Sequence, residues 1–185
     1  MSETNWYVIT GAPASGKTTL VEELERRGCR VVHEVARAYI EMQMAQGQTL
    51  EEIRSDKRSF ENWILDRKIA IEDRLPRNEV IIFDRAVPDS IAYFDEAGLD
   101  PGEAIQRSPR NRYRGVFLLD RLPFRADRAR IEDDQMAQRL HTGIERSYRM
   151  LGYEVTGVEV MSVAERLAFV VKHIERTAQK GEVLS

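Results

Sequence analysis

The 185-residue chain is poor in cysteine and lysine, and its positive and negative charges nearly balance. Its single cysteine, Cys29, excludes an internal disulfide framework and favours a reducing compartment. The net charge is −3, from 28 Lys and Arg against 31 Asp and Glu. A general nucleic-acid-binding protein is usually basic, so we expect no nucleic acid among the partners.

Long hydrophobic runs are also missing. The longest ones, residues 80–83 and 116–119, have the length of a strand and fall far short of the roughly 20 residues that cross a membrane. The first residues lack the basic and apolar regions of an export signal. We therefore expect no membrane partner and a cytoplasmic location.

What the chain does contain is a regular alternation of apolar runs and amphipathic segments. Helical patterns lie between predicted strands at residues 6–10, 30–33, 79–83, 115–119 and 153–160. Residues 34–75 are predicted as two helices broken near Gly47, and a capping box of Thr49 and Glu52 opens the second. The alternation predicts the α/β class, with a five-stranded parallel sheet covered by helices on both faces. Because no linker or repeat divides the chain, residues 1–185 are predicted to form a single domain.

One glycine-rich segment matches the Walker A pattern G-x-x-x-x-G-K-[ST] at every position: Gly11, Ala12, Pro13, Ala14, Ser15, Gly16, Lys17 and Thr18. A strand precedes it and a helix follows, as phosphate binding requires. Its backbone N–H groups can surround a phosphate at the helix N-terminus. Lys17 would bridge the β- and γ-phosphates, the Thr18 hydroxyl would bind Mg²⁺, and Thr19 completes the nucleotide-binding segment. We therefore expect ATP and Mg²⁺ as cofactors and a three-layer P-loop NTPase fold.

Charged residues follow two other predicted strands, at the edge of the sheet where parallel-sheet proteins bind ligands. Asp84 follows the third strand and is the natural partner of Mg²⁺, while Arg85 could pair with a substrate phosphate, hydroxyl or carboxylate. Glu34 ends the second strand and could accept a proton from an acceptor hydroxyl, although a helix-start preference would explain it equally well. Arg37, on the same helical face, could orient Glu34 or bind substrate.

Arginine dominates the basic residues, with 23 Arg and five Lys. Eight of the arginines lie between Arg107 and Arg130, a segment with a local charge of +6 that we expect to lie over the phosphate site. A lid is predicted at about residues 120–134. In it Arg125 and Arg128 would cover the transferring phosphates, because guanidinium binds phosphate in a bidentate manner. A merely solvated basic segment is the alternative.

Together these motifs resemble the small P-loop ATP-binding family typified by the ribosylnicotinamide-kinase domain of NadR, sometimes called its AAA domain. The matching pieces are the Walker A segment, Glu34-Val35-Ala36-Arg37, Phe83-Asp84-Arg85 and Arg125-x-x-Arg128. The resemblance implies a nucleotide-kinase-like fold in which Glu34 corresponds to the carboxylate base and Arg85 to the arginine after the third strand. It also implies that residues around 162–164 flank the adenine.

The leading hypothesis is a Mg²⁺-dependent kinase that transfers the γ-phosphate of ATP to a hydroxyl of a small nucleoside-like molecule. Its predicted catalytic residues are Lys17, Glu34, Asp84, Arg85, Arg125 and Arg128. Glu34, Arg37 and Arg85 would bind the acceptor, walled by the helices of residues 34–75, and Thr18 and Asp84 would bind the metal. The alternative is an ATPase or nucleotide-dependent switch with no small-molecule acceptor. The sequence does not predict an oligomeric state.

Overall fold

The computed structural model describes residues 2–108, 111–122 and 131–182. Seven strands lie in this part of the chain: β1 (Ser2–Glu3), β2 (Trp6–Thr10), β3 (Arg30–Val32), β4 (Ile81–Asp84), β5 (Asn111–Arg112), β6 (Gly115–Leu119) and β7 (Val155–Val158). Five of them form one parallel sheet in the order β3-β4-β2-β6-β7, and β1 pairs separately with β5. The predicted five-stranded parallel sheet is therefore confirmed.

Eight helices lie in the described ranges: α1 (Lys17–Arg26), α2 (Val35–Ala45), α3 (Leu50–Ser55), α4 (Lys57–Glu72), α5 (Asp89–Glu96), α6 (Gly102–Arg107), α7 (Ile131–Met150) and α8 (Val163–Glu182). The prediction of two helices over residues 34–75 is wrong, because three form there. Asp56 separates α3 from α4, and its side chain caps α4 by accepting a 3.0 Å hydrogen bond from the Ser59 N–H. The capping box of Thr49 and Glu52 is present as predicted.

Side chains of β2 alternate between the two faces of the sheet, as a strand period of two requires. Trp6 and Val8 pack on the face covered by α5 and α7, whereas Tyr7 and Ile9 pack on the face covered by α1 and α8. All four are fully buried. The strand between two helical layers confirms the predicted three-layer α/β arrangement.

The parallel register brings the carboxyl ends of the central strands to one edge. Ile9 of β2 lies opposite both Asp84 of β4 and Phe117 of β6. Asp84 is therefore the last residue of β4, whereas the sequence pattern predicted it to be the first residue after the strand. The segments that follow β2 and β4 meet at this edge. Leu65 and Ile69 of α4 pack against α5.

No described helix combines the length and the apolar character needed to cross a lipid bilayer.

Two glycines of the sheet allow a direct test of its packing. A Cβ on Gly115 of β6 would lie 2.9 Å from Cδ1 of the fully buried Tyr7, whereas a Cβ on Gly157 of β7 meets nothing within 4 Å. We expect Gly115→Ala to lower the free energy of unfolding by about 1–3 kcal/mol, since the Tyr7 ring must shift within a packed core. Gly157→Ala should change it by less than about 0.5 kcal/mol. Denaturant titration of both variants makes the measurement, and equal effects would contradict this account.

Candidate functional site

The segment from Gly11 to Thr18 joins β2 to α1 along a tightly turned path. Gly11 has φ of 140° and Gly16 has φ of 82°, in the region that residues with a side chain rarely adopt. A Cβ on Gly11 would lie 2.7 Å from the carbonyl oxygen of Leu119, so only glycine lets the loop pass this close to β6. The path ends at the N-terminus of α1, where backbone N–H groups and the helix dipole favour an anion.

Lys17, the first residue of α1, is buried against its own loop. Its Nζ donates to the Ala12 carbonyl oxygen at 2.7 Å and to Ser15 Oγ at 3.1 Å. The pKa of Lys17 is lowered to about 7, first by burial and then by the positive charge of Arg85, while Asp84 and Glu34 oppose the change. A bound phosphate would favour the protonated form, because it adds negative charge beside the ammonium group.

Asp84 is a buried carboxylate, with 3% of its surface exposed, and it lies opposite Ile9 of β2, two residues before this loop begins. Its Oδ1 is buried and has no hydrogen-bond partner within the described residues. Burial first, and then the negative charge of Glu34, raise the pKa of Asp84 to about 6 against the opposing effect of Arg85 and Lys17. An unpartnered buried carboxylate oxygen needs a cation or a donor.

Mg²⁺ fits these groups. It commonly binds proteins through one or two oxygen ligands and completes its shell with water and substrate phosphates. Asp84 Oδ1 and the half-buried Thr18 hydroxyl, which makes no hydrogen bond in the described ranges, offer two such oxygens. No cluster of three or more His, Cys, Asp or Glu suited to a metal occurs among the residues described, so the nucleotide would have to supply further ligands.

Arg85 holds Glu34 at the mouth of this site. Its Nε donates to Glu34 Oε1 at 2.9 Å and its Nη1 donates to the Gly11 carbonyl oxygen at 2.9 Å, so one guanidinium links α2 to the Walker A loop. The Arg85 backbone has φ of 65°, which is strained for a residue with a side chain. Burial tends to raise the pKa of Glu34, but Arg85 and Lys17 more than offset this and hold it below its ordinary value. Glu34 is therefore ionised at neutral pH.

Asp89, the first residue of α5, was not among the predicted site residues. In the structure its carboxylate connects several segments near the site. One carboxylate oxygen accepts from the Thr10 hydroxyl, and the other accepts from the Ala86 N–H at 2.9 Å and the Tyr148 hydroxyl at 2.6 Å. Arg85 Nη1 lies 3.7 Å from Asp89 Oδ1. Asp89 thus joins the end of β2, the turn after β4 and α7, and helps to position Arg85.

Arg166 of α8 is a second functional candidate that the sequence pattern missed. Its guanidinium donates to three backbone carbonyl oxygens, those of Ser15 at 2.6 Å, Glu159 at 3.0 Å and Asp120 at 3.2 Å. It therefore ties the Walker A loop to the segments that follow β6 and β7. Ser15 lies 151 residues away along the chain, so no local signal could reveal this contact.

The remaining predicted arginines are placed differently. Arg37 is exposed on α2 and makes no hydrogen bond or ion pair in the part of the chain that is described; the group that holds Glu34 is Arg85. Arg112 and Arg114 lie at the amino ends of the strands, opposite the Walker A loop, where they donate to the carbonyl oxygens of Gly152 at 2.9 Å and Thr177 at 2.6 Å. This contradicts the expectation that the whole arginine-rich segment covers the phosphate site.

Other members of that segment are engaged elsewhere or lie beyond the described ranges. Arg107 pairs with Asp66 and Glu103, and Arg121 pairs with Asp134. Arg125 and Arg128, with most of the predicted lid, lie outside the described residues.

Comparison with known proteins places this site in a family. The sequence pattern of the family described as "AAA domain" matches residues 6–166, which include the Walker A loop, Glu34, Asp84 and Arg166. The chain belongs to the AAA domain family. No curated protein sequence matches this AAA domain.

Solved structures show which fold the AAA domain shares. Thymidylate kinase from Ehrlichia chaffeensis aligns with a TM-score of 0.67 at 14% identity, over 92% of this chain and 97% of the kinase. Deoxyadenosine kinase from M. mycoides, with products dCMP and a flexible dCDP bound, aligns with a TM-score of 0.63 at 15% identity, over 92% and 99%. NadR in complex with NR aligns with a TM-score of 0.67 at 18% identity, over 94% of this chain and 49% of NadR. The nucleotide-kinase-like fold and the family resemblance are confirmed.

Asp84 gives a pH-dependent prediction for the protein without nucleotide or magnesium. The folded-state pKa of about 6 exceeds the ordinary value of 3.8, so burying the ionised carboxylate costs stability above pH 6, and the cost vanishes as pH falls to about 4. We expect Asp84→Asn to raise the free energy of unfolding at pH 7 by roughly 1–3 kcal/mol and to lose most of that gain near pH 4. Denaturant titrations at the two pH values measure it. A gain that is the same at both would show that the charge is not its cause.

Arg166 gives a second prediction, on stability. Arg166→Met removes three hydrogen bonds from a charged donor to backbone carbonyl oxygens, one of them buried, and should lower the free energy of unfolding by about 2–4 kcal/mol. Arg176→Met, an exposed change on the same helix, is the matched control and should shift it by less than about 0.5 kcal/mol. Thermal and denaturant unfolding provide the comparison. Similar small shifts in both variants would rule out a structural role for Arg166.

Proposed function

We propose that this protein is a Mg²⁺-dependent kinase that transfers the γ-phosphate of ATP to a hydroxyl group of a small nucleoside-like molecule. The observation that carries the proposal is the ion pair between buried Arg85 and half-buried Glu34, in which Arg85 also binds the Gly11 carbonyl oxygen of the Walker A loop. It sets an ionised carboxylate beside the phosphate-binding segment, which an acceptor hydroxyl requires and simple nucleotide binding does not. The structural neighbours, two of which are named as kinases, support the same reading.

The nucleotide would be held by the Walker A loop. Lys17 would contact the β- and γ-phosphates, and the backbone of residues 11–19 would surround them. Thr18 and Asp84 would hold Mg²⁺, which when bound would neutralise charge on the phosphate oxygens. Arg125 and Arg128 are proposed to cover the phosphates from the lid, as their Arg-x-x-Arg spacing suggests.

The acceptor would approach Glu34. Its hydroxyl oxygen forms a bond to the γ-phosphorus while the bond from that phosphorus to the β,γ-bridging oxygen breaks, and ADP leaves with the electron pair. The hydroxyl proton passes to the Glu34 carboxylate. The lowered pKa of Glu34 makes it a weak base, but phosphoryl transfer has a loose transition state in which positioning counts for more than basicity. Arg85 supplies that positioning, and Arg37 remains a proposed contact to the acceptor.

Two variants test these roles. Lys17→Ala should abolish turnover. Glu34→Gln should bind ATP normally but lose transfer by a factor on the order of 100 or more, since it can no longer accept the proton. ATP consumption is measured against a panel of nucleosides, nicotinamide riboside and phosphorylated metabolites, with ATP binding followed by calorimetry.

Glu22→Gln, an exposed change on α1, is the control and should behave like the parent protein. Full transfer activity in Glu34→Gln would eliminate its role as the base. ATP hydrolysis that no acceptor accelerates would favour an ATPase instead.

A further inference from the structure

His141 lies on the face of α7 that meets the segment after β6. Arg121, in that segment, donates to Gln138 Oε1 at 2.9 Å and pairs with Asp134, and both acceptors belong to α7. His141 follows Gln138 by three residues and Asp134 by seven, so helix periodicity places the three side chains on one face. The contacts of Arg121 therefore identify the surroundings into which the imidazole projects.

This face of α7 is turned toward the Walker A loop. Arg166 donates to the carbonyl oxygens of both Ser15 and Asp120, at 2.6 and 3.2 Å, so a single guanidinium joins the loop to the segment after β6. The positive charge of Lys17 acts on the His141 imidazole as well. Because such effects weaken with distance and with intervening solvent, we infer that His141 and Lys17 face the same space, from α7 and from α1.

The imidazole of His141 is half-buried, and one of its nitrogens is unsatisfied. Its Nδ1 is buried and has no hydrogen-bond partner among the residues that the structure describes. Burial lowers the pKa of His141 against the effect of Asp120 and Glu145. The positive charges of Arg121 and Lys17 lower this pKa further. The ring is therefore neutral at neutral pH without ligand, and its buried nitrogen calls for a partner.

A nucleotide phosphate is a partner of the right chemistry. Phosphates held by the Walker A loop would lie beside Lys17 and would bring negative charge and hydrogen-bond acceptors. Negative charge favours the imidazolium form, in which both ring nitrogens are donors. We propose that His141 donates a hydrogen bond to the β- or γ-phosphate of the bound nucleotide.

The proposal makes nucleotide binding depend on pH. Binding and protonation of His141 favour each other by the same factor, so ATP affinity gains a contribution from His141 as the pH falls. This inference rests on the nucleotide binding that the proposed function includes, and it does not require transfer to an acceptor.

The first test follows the histidines directly. The chain has only three, so NMR can record the pH titration of the Cε1–H signal of each, with and without saturating ATP and Mg²⁺. His141→Asn identifies the signal of His141, and we expect ATP to move its titration to higher pH. His173, half-buried against the Phe117 ring, is the matched control and should keep its titration. A His141 titration that ATP leaves unchanged, or moves to lower pH, would overturn the inference.

Variants then measure what the contact contributes to affinity. His141→Leu removes the donor, whereas His141→Asn keeps an N–H near the position of Nδ1 that cannot titrate. By calorimetry at pH 6, His141→Leu should bind ATP roughly 10-fold more weakly than the parent protein, since a charged donor is lost. From pH 8 to pH 6, the parent should gain more affinity than His141→Asn.

Other titrating groups are controlled by comparing proteins that all keep them. Lys17 and Asp84 have pKa values of about 7 and about 6, and they are unchanged in every variant, so the difference from the parent isolates His141. His173→Asn should bind ATP like the parent at both pH values. A purely structural role of His141 would lower the free energy of unfolding and leave the pH dependence of ATP affinity unchanged.

The outcomes separate this inference from the function on which it rests. If the parent binds ATP and His141→Leu binds it equally well at pH 6, the inference fails and the proposed function stands. If the parent binds ATP but phosphorylates no acceptor, the proposed function fails and the binding tests still decide the inference. If the parent binds no ATP, both fail. Should the His141 variants not fold, the titration of the parent decides, with signals assigned through His33→Asn and His173→Asn.

Discussion

The guanidinium of Arg85 joins parts of the molecule that would otherwise be independent. It binds the carboxylate that begins α2 and a carbonyl oxygen of the Walker A loop, and it lies beside Asp89 and over the ring of Tyr93. The cost is a strained backbone at the end of β4 and a fully desolvated charge. Neighbouring carboxylates offset that cost, so the Walker A loop and the beginning of α2 are fixed relative to each other.

The burial of charged groups determines the electrostatics at the carboxyl ends of the central strands. Lys17 and Asp84 are both held away from water, and their pKa values move toward neutrality from opposite directions. Each group would be more stable if it were exposed or bound to a partner of opposite charge. Under the proposed function, phosphates and a divalent cation would supply those partners, and the cost of burying the two charges would be recovered when the ligands bind.

Two buried glutamates of α4, Glu61 and Glu72, differ in their hydrogen-bond partners. Both are buried on the same face of α4, eleven positions apart. Glu72 accepts hydrogen bonds from Asn111 and Tyr113 and so ties α4 to the β5 region, whereas Glu61 accepts no hydrogen bond in the described ranges. The difference comes from which element lies opposite each residue, which helix periodicity alone does not specify.

Short-range patterns in the sequence determine several local features of this protein. They are the Walker A loop, the five strands of the sheet, the capping box at Thr49 and the carboxylate at the end of β4. The sequence pattern did not predict the break between α3 and α4, because a single capping aspartate, Asp56, interrupts an otherwise continuous helical pattern. Only the tertiary structure decided three contacts: the pairing of Glu34 with Arg85, the hydrogen bond from Tyr148 to Asp89 and the hydrogen bond from Arg166 to Ser15. Those contacts join residues between 51 and 151 positions apart, and such pairs form only when helices and strands pack in one particular arrangement.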